Sequence, residues 1–357
     1  MKKFHLLAPI LFPLLVTAGT DSTSKLSWSV HAHYGFIMPH HNALSYLVNS
    51  HIPAASFNLF RRHDGSENWE RAFNLPETGV CLHYENFMDP RMGSGIGIQP
   101  YIDFPLNKNE RFHLKIKVGS GIGFLTRHFE RVDNHKNVVI GSTLNSFADL
   151  KLSAAFMTGK RGRLETGLSF SHFSNGAFSM PNLGVNYVSL SLGYGILNWP
   201  KDLSDAPTTP HDKKVRFWNM LSFGVCEAMP PGGKKYIPVT YIFSAHKSVS
   251  NLSRFNMGIE LVNNPSNITR AAQDSIYITK GQNFQVGYKL GYEITAGKFA
   301  LCVEMGVYVY NPYDPNGLFF HRIGSRYQFH EKWMGIFTLK SHWAKADHFE
   351  WGIGYRL

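Results

Sequence analysis

Residues 112–124 divide by parity. Phe112, Leu114, Ile116, Val118, Ile122 and Phe124 share one face of an extended chain, and His113, Lys115, Lys117, Gly119, Gly121 and Gly123 the other. Residues 284–294 repeat the scheme, with Phe284, Val286, Tyr288, Leu290, Tyr292 and Ile294 opposed to Gln285, Gly287, Lys289, Gly291 and Glu293. Phe299, Leu301, Val303, Met305, Val307 and Val309 then repeat it once more. Successive side chains on a strand point to opposite faces, so each segment has an apolar face and a small or charged one. Length decides what such strands belong to. Strands of soluble sheets usually run about five or six residues, whereas a strand crossing a bilayer needs about 9–11. The pattern predicts an all-β fold, an antiparallel transmembrane barrel with its apolar faces towards lipid.

Sixteen such segments are expected, eight on each side of a polar, Pro-containing stretch at 199–214. The first eight are read at 26–37, 54–62, 78–86, 94–105, 111–125, 143–157, 164–174 and 185–198. The second eight are read at 215–229, 236–248, 252–263, 283–296, 298–310, 318–329, 332–343 and 346–357. Residues 289–306 echo 100–119, and 341–355 echo 171–194 with the loop cut short, which points to an internal duplication. A unit of eight strands, at 20–198, is therefore followed by a degenerate repeat at 215–357. Whether these make two tandem barrels or one fused barrel of about sixteen strands is left open by pattern alone. The length of the 199–214 link favours separate closure.

Lys2 and Lys3 precede a short apolar run from Leu6 to Ala18, broken by Pro9 and Pro13. That run is too short to span a bilayer as a helix and reads as a signal peptide over 1–19, which exports the chain; together with the barrel strands this places it in the outer membrane. The last strand, with Phe349, Trp351, Ile353, Tyr355 and Leu357 on one parity, has the form of a barrel's closing strand. Three scattered cysteines suit neither a disulfide framework nor a zinc site. The 36 basic against 25 acidic residues fit a polyanionic partner, and for an exported chain an anionic glycolipid surface suits better than nucleic acid. No metal or organic cofactor is expected, and His31, His33, His40 and His41 are read as loop or lumen histidines rather than ligands. Gly119-Ser120-Gly121-Ile122-Gly123 lies within a strand, where small lumen residues explain it better than a phosphate loop.

The stretch 169–186, SFSHFSNGAFSMPNLGVN, departs from the pattern. His172 and Ser174 share parity with Leu168 and Phe170, and Asn186 shares it with Val188, Leu190 and Leu192. Polar groups in these lipid-facing rows carry a desolvation cost, which makes them candidates for function. The run His172-Phe173-Ser174-Asn175, followed by Pro181-Asn182-Leu183-Gly184, resembles the PagL-type lipid A 3-O-deacylases, outer-membrane barrels of the acyloxyacyl hydrolase kind. The resemblance covers about 26–198, with the sharp motif at 172–186. It implies an outer-membrane serine ester hydrolase removing the 3-O-acyl chain of lipid A, with lipopolysaccharide as substrate and Ser174 as nucleophile. His172 would be the base and residue 186 its orienting partner, with the Asn175 amide and the Ala177 N–H as the oxyanion hole. Gly176 would permit a tight turn, while Pro181, Asn182 and Gly184 would shape the loop. The family has Glu where this chain has Asn186. Asn can accept the ring N–H but cannot neutralise an imidazolium, which places full activity in question.

With the N-terminus periplasmic, the seventh strand runs outward and delivers Ser174 to the external rim, at the height of the outer leaflet. In the second half Ser341-His342-Trp343 repeats the lead-in, but Ala344 stands in place of the nucleophile and the Pro-Asn-x-Gly loop is missing. His342 also has the opposite parity to Phe337 and Leu339. This repeat is expected to be catalytically silent, a structural or lipid-packing partner. Two other functions compete: a non-catalytic pore, adhesin or scaffold derived from a deacylase, and an outer-membrane phospholipase. The sequence is also compatible with a homodimer.

Overall fold

The computed structural model describes residues 26–109, 111–198, 211–343 and 345–357. The signal peptide expected over 1–19, most of the 199–214 link and Ala344 lie outside the described residues. The first eight strands are β1 (Ser27–Ile37), β2 (Ile52–Arg62), β3 (Glu77–Asn86), β4 (Ser94–Pro105), β5 (Phe112–Leu125), β6 (Leu144–Thr158), β7 (Gly162–Ser174) and β8 (Val185–Ile196). Each pairs antiparallel with the next, and β8 returns to β1 with Trp28 opposite Ile196 and Ile37 opposite Tyr187, closing the sheet.

The second half holds β9 (Val215–Gly224), β10 (Cys226–Glu227), β11 (Lys235–Tyr236), β12 (Val239–Ser248), β13 (Ser253–Asn263), β14 (Phe284–Ala296), β15 (Phe299–Tyr310), β16 (Phe319–His330), β17 (Trp333–His342) and β18 (Lys345–Arg356). A second closed barrel runs from β12 to β18 and then to β9, so the chain forms two eight-stranded barrels rather than one of sixteen. The strand expected over 215–229 differs. It stops at Gly224, and Cys226–Glu227 turns away to pair with Lys235–Tyr236. The intervening Pro230, Pro231, Gly232 and Gly233 cannot continue a ladder, because proline removes a donor and Gly232 adopts a positive φ. Two short helices that alternation could not announce, α1 (Asn68–Ala72) and α2 (Ser266–Gln273), sit in connections.

Parity sorts inside from outside. On β1, Ser27, Ser29, His31 and His33 are buried while Trp28, Val30, Tyr34 and Phe36 are exposed. The interior of the first barrel is filled by paired charges. Lys115 Nζ lies 3.2 Å from Glu77, 2.5 Å from Asp103 and 3.1 Å from Glu165, and Lys151 lies 2.7 Å from Glu165. Lys117 pairs with Asp149 at 2.9 Å. Ions taken out of water persist only when matched in this way. The second barrel uses the same device, with Arg322 on Glu260 and Glu350, and Lys340 on Glu260. Small lumen residues leave room for rings: a Cβ at Gly97 would lie 2.3 Å from Phe147, and one at Gly123 2.6 Å from Phe173.

The rim of the first barrel at which β1 ends, here the far rim, is covered by an apolar cluster. Leu44 and Leu47 from the 38–51 connection, Phe87 and Met92 from 87–93, and Val139 and Ile140 from 126–143 pack with Phe147, Phe173, Val185 and Tyr187. This plug fixes the loops from which the candidate site is built.

The two barrels touch at both rims. At the far rim the Glu227 N–H donates to Ala177 O at 2.8 Å, and Lys235 Nζ donates to Phe178 O and stands 4.7 Å from the Phe178 ring centroid. At the other rim a Cβ at Gly297 would lie 3.0 Å from Glu67 Oε2 and 3.2 Å from Trp69 Nε1 of the α1 region.

Candidate active site

Strand pairing assembles the site. In the β7–β8 ladder His172 stands directly opposite Asn186, and both point out of the barrel with Leu168, Phe170, Leu190 and Leu192. Asn186 nonetheless keeps only 8% of its surface, and Ser174 5%, because the loops of the far rim fold over them. His172 Nδ1 and Asn186 Oδ1 are 2.6 Å apart. Ser174, two residues beyond His172 and on the same face, does not bond the imidazole. Its Oγ lies 3.1 Å from Asn182 Nδ2 and 3.3 Å from Asn182 Oδ1, and it accepts the Gly176 N–H at 3.2 Å.

The 175–184 loop is closed by Asn175. Its amide donates to Ser142 Oγ and Ser179 O, each at 2.8 Å, and its backbone N–H donates to Asn182 Oδ1 at 3.0 Å. Both amide hydrogens are thereby engaged in holding the loop. The Ala177 N–H, by contrast, has no acceptor among the described residues, and Ala177 adopts φ 63°. Gly176 has φ +59°, and a Cβ there would lie 2.3 Å from the ring of Phe349 on β18. Glycine is required twice over at this position, for the backbone and for the second barrel. Pro181 follows a cis Met180–Pro181 bond, and Leu183 and Gly184 both donate N–H groups to Val139 O, at 2.9 and 3.0 Å. Gly184, at φ +81°, lies over the imidazole: a Cβ would sit 2.7 Å from His172 Cε1.

One contact was not foreseen from the sequence. His40, in the 38–51 connection, places Nδ1 2.9 Å from Asn186 Nδ2 and Nε2 2.8 Å from Leu183 O. It is brought there because β1 goes on pairing with β8 past its own end, through Met38 N–H to Asn186 O at 2.9 Å. A parity argument within 169–186 could not find a residue separated from it by a whole barrel. The other early histidines stay apart. His31 and His33 bond Ser29 and Ser56 in the lumen, and His41 Nδ1 accepts the Ala43 N–H at the start of a short 3-10 turn. Among the described residues no group of three or more His, Cys, Asp or Glu is arranged to hold a metal.

The corresponding place in the second barrel is built differently. His342 is buried, and its Nε2 lies 3.2 Å from Tyr308 OH in the lumen, beyond a register shift at Lys340/Ser341. The shift does not turn it outward.

Comparison with known proteins follows this division. Residues 55–195 match the family model described as lipid A 3-O-deacylase (PagL), and residues 215–357 match the model of the acyloxyacyl hydrolase C-terminal domain. No curated protein matches the chain. Among solved structures the chain is similar to the outer membrane enzyme PagL, at 18% identity over 47% of this chain and 99% of that one, TM-score 0.34. It is also similar to Neisserial surface protein A, at 8% identity over 48% of this chain and 96% of that one, TM-score 0.35. A mutant of the Rh. blastica porin aligns with 93% of this chain and 100% of its own, at 11% identity and TM-score 0.20. The first barrel thus carries the match to the PagL family of lipid A 3-O-deacylases and the second the match to the acyloxyacyl hydrolase C-terminal domain, which makes the chain PagL-like in both of its barrels.

Proposed function

We propose that the first barrel removes the 3-O-linked acyl chain of lipid A at its outer wall, by a Ser174–His172–Asn186 site at the external rim. The observation that supports this most directly is the 2.6 Å contact of His172 Nδ1 with Asn186 Oδ1, on the same outward row as Ser174. A bulky amphiphile in the outer leaflet reaches that wall sideways, whereas the lumen is filled with paired charges and its far rim is plugged.

In this reading Ser174 Oγ leaves Asn182 by a rotation about χ1 and attacks the ester carbonyl as His172 Nε2 takes its proton. The negative charge that develops on the carbonyl oxygen is met by the Ala177 N–H, the donor left without an acceptor. Asn175, whose amide is spent on Ser142 and Ser179, holds that peptide in place and becomes an oxyanion donor only if one of those bonds opens. Collapse of the tetrahedral adduct breaks the bond to the sugar oxygen, which receives the proton from His172. Water then attacks the acyl-Ser174 ester by the same route in reverse. Hydrogen bonds of this kind commonly align only when substrate is bound, so the Ser174–Asn182 contact describes the resting site.

The chain is read as exported by its N-terminal segment, with residues 215–357 forming a silent buttress. The test is the lipid A mass spectrum of cells lacking the gene, complemented with the wild-type chain or with Ser174→Ala. Loss of one 3-O-acyl mass only with the wild-type chain supports the proposal. Identical spectra in all three overturn it, and fatty acid released from phospholipid instead assigns a phospholipase. The resting engagement of Ser174 by Asn182 favours the second reading, a non-catalytic scaffold, which predicts no labelling of Ser174 by a fluorophosphonate probe.

A further inference from the structure

We infer that His40 is a fourth, positioning member of the site, and that it sets the tautomer of His172 through Asn186. This rests on the reading of Ser174, His172 and Asn186 proposed above. A backbone carbonyl can only accept, so the 2.8 Å contact of His40 Nε2 with Leu183 O places a hydrogen on Nε2. In a neutral imidazole the other nitrogen, Nδ1, then carries a lone pair. That lone pair accepts from Asn186 Nδ2 at 2.9 Å. With its NH2 committed to His40, Asn186 turns Oδ1 to His172, whose Nδ1 must carry the hydrogen across 2.6 Å. His172 Nε2 is left unprotonated, which is the state a general base needs. Every bond in the relay from Leu183 O to His172 is thus fixed by its fixed end.

The relay answers a weakness specific to Asn at position 186. A carboxylate offers only acceptors, so it can hold the imidazole in one tautomer alone. An amide is ambiguous. Turned over, it would present NH2 to His172 Nδ1 and drive the hydrogen onto Nε2, where it blocks the base. In a serine protease the wrong tautomer behind an Asp-to-Asn change lowers turnover by about ten-thousandfold. His40 removes the ambiguity, because a turned amide would set Oδ1 against a nitrogen with no hydrogen to give. The residue does not touch the reacting atoms; it acts through Asn186.

The full-length protein in detergent tests this, by the rate of ester hydrolysis and the rate of Ser174 labelling with a fluorophosphonate. His40→Ala is expected to lower kcat and the labelling rate by about tenfold or more with KM unchanged. His40→Gln, whose amide can donate to Leu183 O and accept from Asn186, is expected to restore most of the loss. In an Asn186→Glu background, where tautomer control needs no relay, His40→Ala is expected to change kcat by less than about threefold. A His40→Ala protein that is folded and as active as wild type overturns the inference. So does an equal loss in both backgrounds, since that marks His40 as part of the loop's packing alone. If Ser174→Ala itself retains activity, the proposed site fails and the relay with it; if Ser174→Ala is inactive and His40→Ala is not, only the relay fails.

Discussion

Gly184→Ala tests the idea that the loop sets the imidazole. At φ +81° an alanine costs about 1–2 kcal/mol in backbone conformation. Its Cβ would also stand 2.7 Å from His172 Cε1 and 3.1 Å from Phe173 O, where ordinary contact begins near 3.4 Å. The ring must withdraw by about 0.7 Å, and a displacement near 1 Å can cost about a hundredfold in rate. Turnover is therefore expected to fall by about ten- to a hundredfold while the barrel still folds. Gly159→Ala is the matched control: φ is +94°, yet nothing lies within 4 Å of its Cβ, so it imposes the backbone cost without the collision. The assay is fatty-acid release together with the heat-dependent gel mobility that reports an intact barrel. Both variants folded, with Gly184→Ala within about threefold of wild type, would refute the reasoning. Equal losses in the two variants would refute it as well.

Other outcomes follow from the same structure. Phe349→Ala removes the ring against Gly176 and should lower turnover by about tenfold through loop displacement, read by fatty-acid release with gel mobility unchanged. Leu190→Arg places a charge on a lipid-facing residue that is 68% exposed, and should cost about 2–4 kcal/mol, read by urea unfolding in bilayers. Lys115→Met leaves Asp103 without its cation, while Glu77 keeps Arg163 and Glu165 keeps Lys151, and should cost about 3–5 kcal/mol by the same measurement, without altering the outer-wall site.

Most of the strands were legible because alternation is local: each side chain's face follows from its neighbours at i±2. Closure was not legible in the same way. Whether β8 returns to β1 or runs on to β9 depends on which edges meet, and the two outcomes have the same parity pattern. The strand expected over 215–229 was overextended because its apolar residues continue beyond Gly224, while the prolines that divert it lie further on. At the site, parity put His172 and Asn186 on the same face of neighbouring strands, and it was the family resemblance that paired them. The partners of Ser174 and of Asn175 could not, since Asn182 and Ser142 enter from loops whose path is set by the plug. His40 was visible as a histidine but carried no local sign of where it would go.

The contacts between the barrels have a mechanical consequence. A lone cylinder in a bilayer is free to change its tilt when the hydrocarbon thickness changes. Here one cylinder is moored to the other at opposite ends, through Ala177 and Glu227 at one and through Trp69 and Gly297 at the other. The pair must lean as a single raft, with the second cylinder as its outrigger. Ala177, whose N–H has no acceptor among the described residues, gives its own carbonyl to one of the moorings, so the aim of that N–H is steadied against the surrounding lipid by a partner that needs no chemistry of its own.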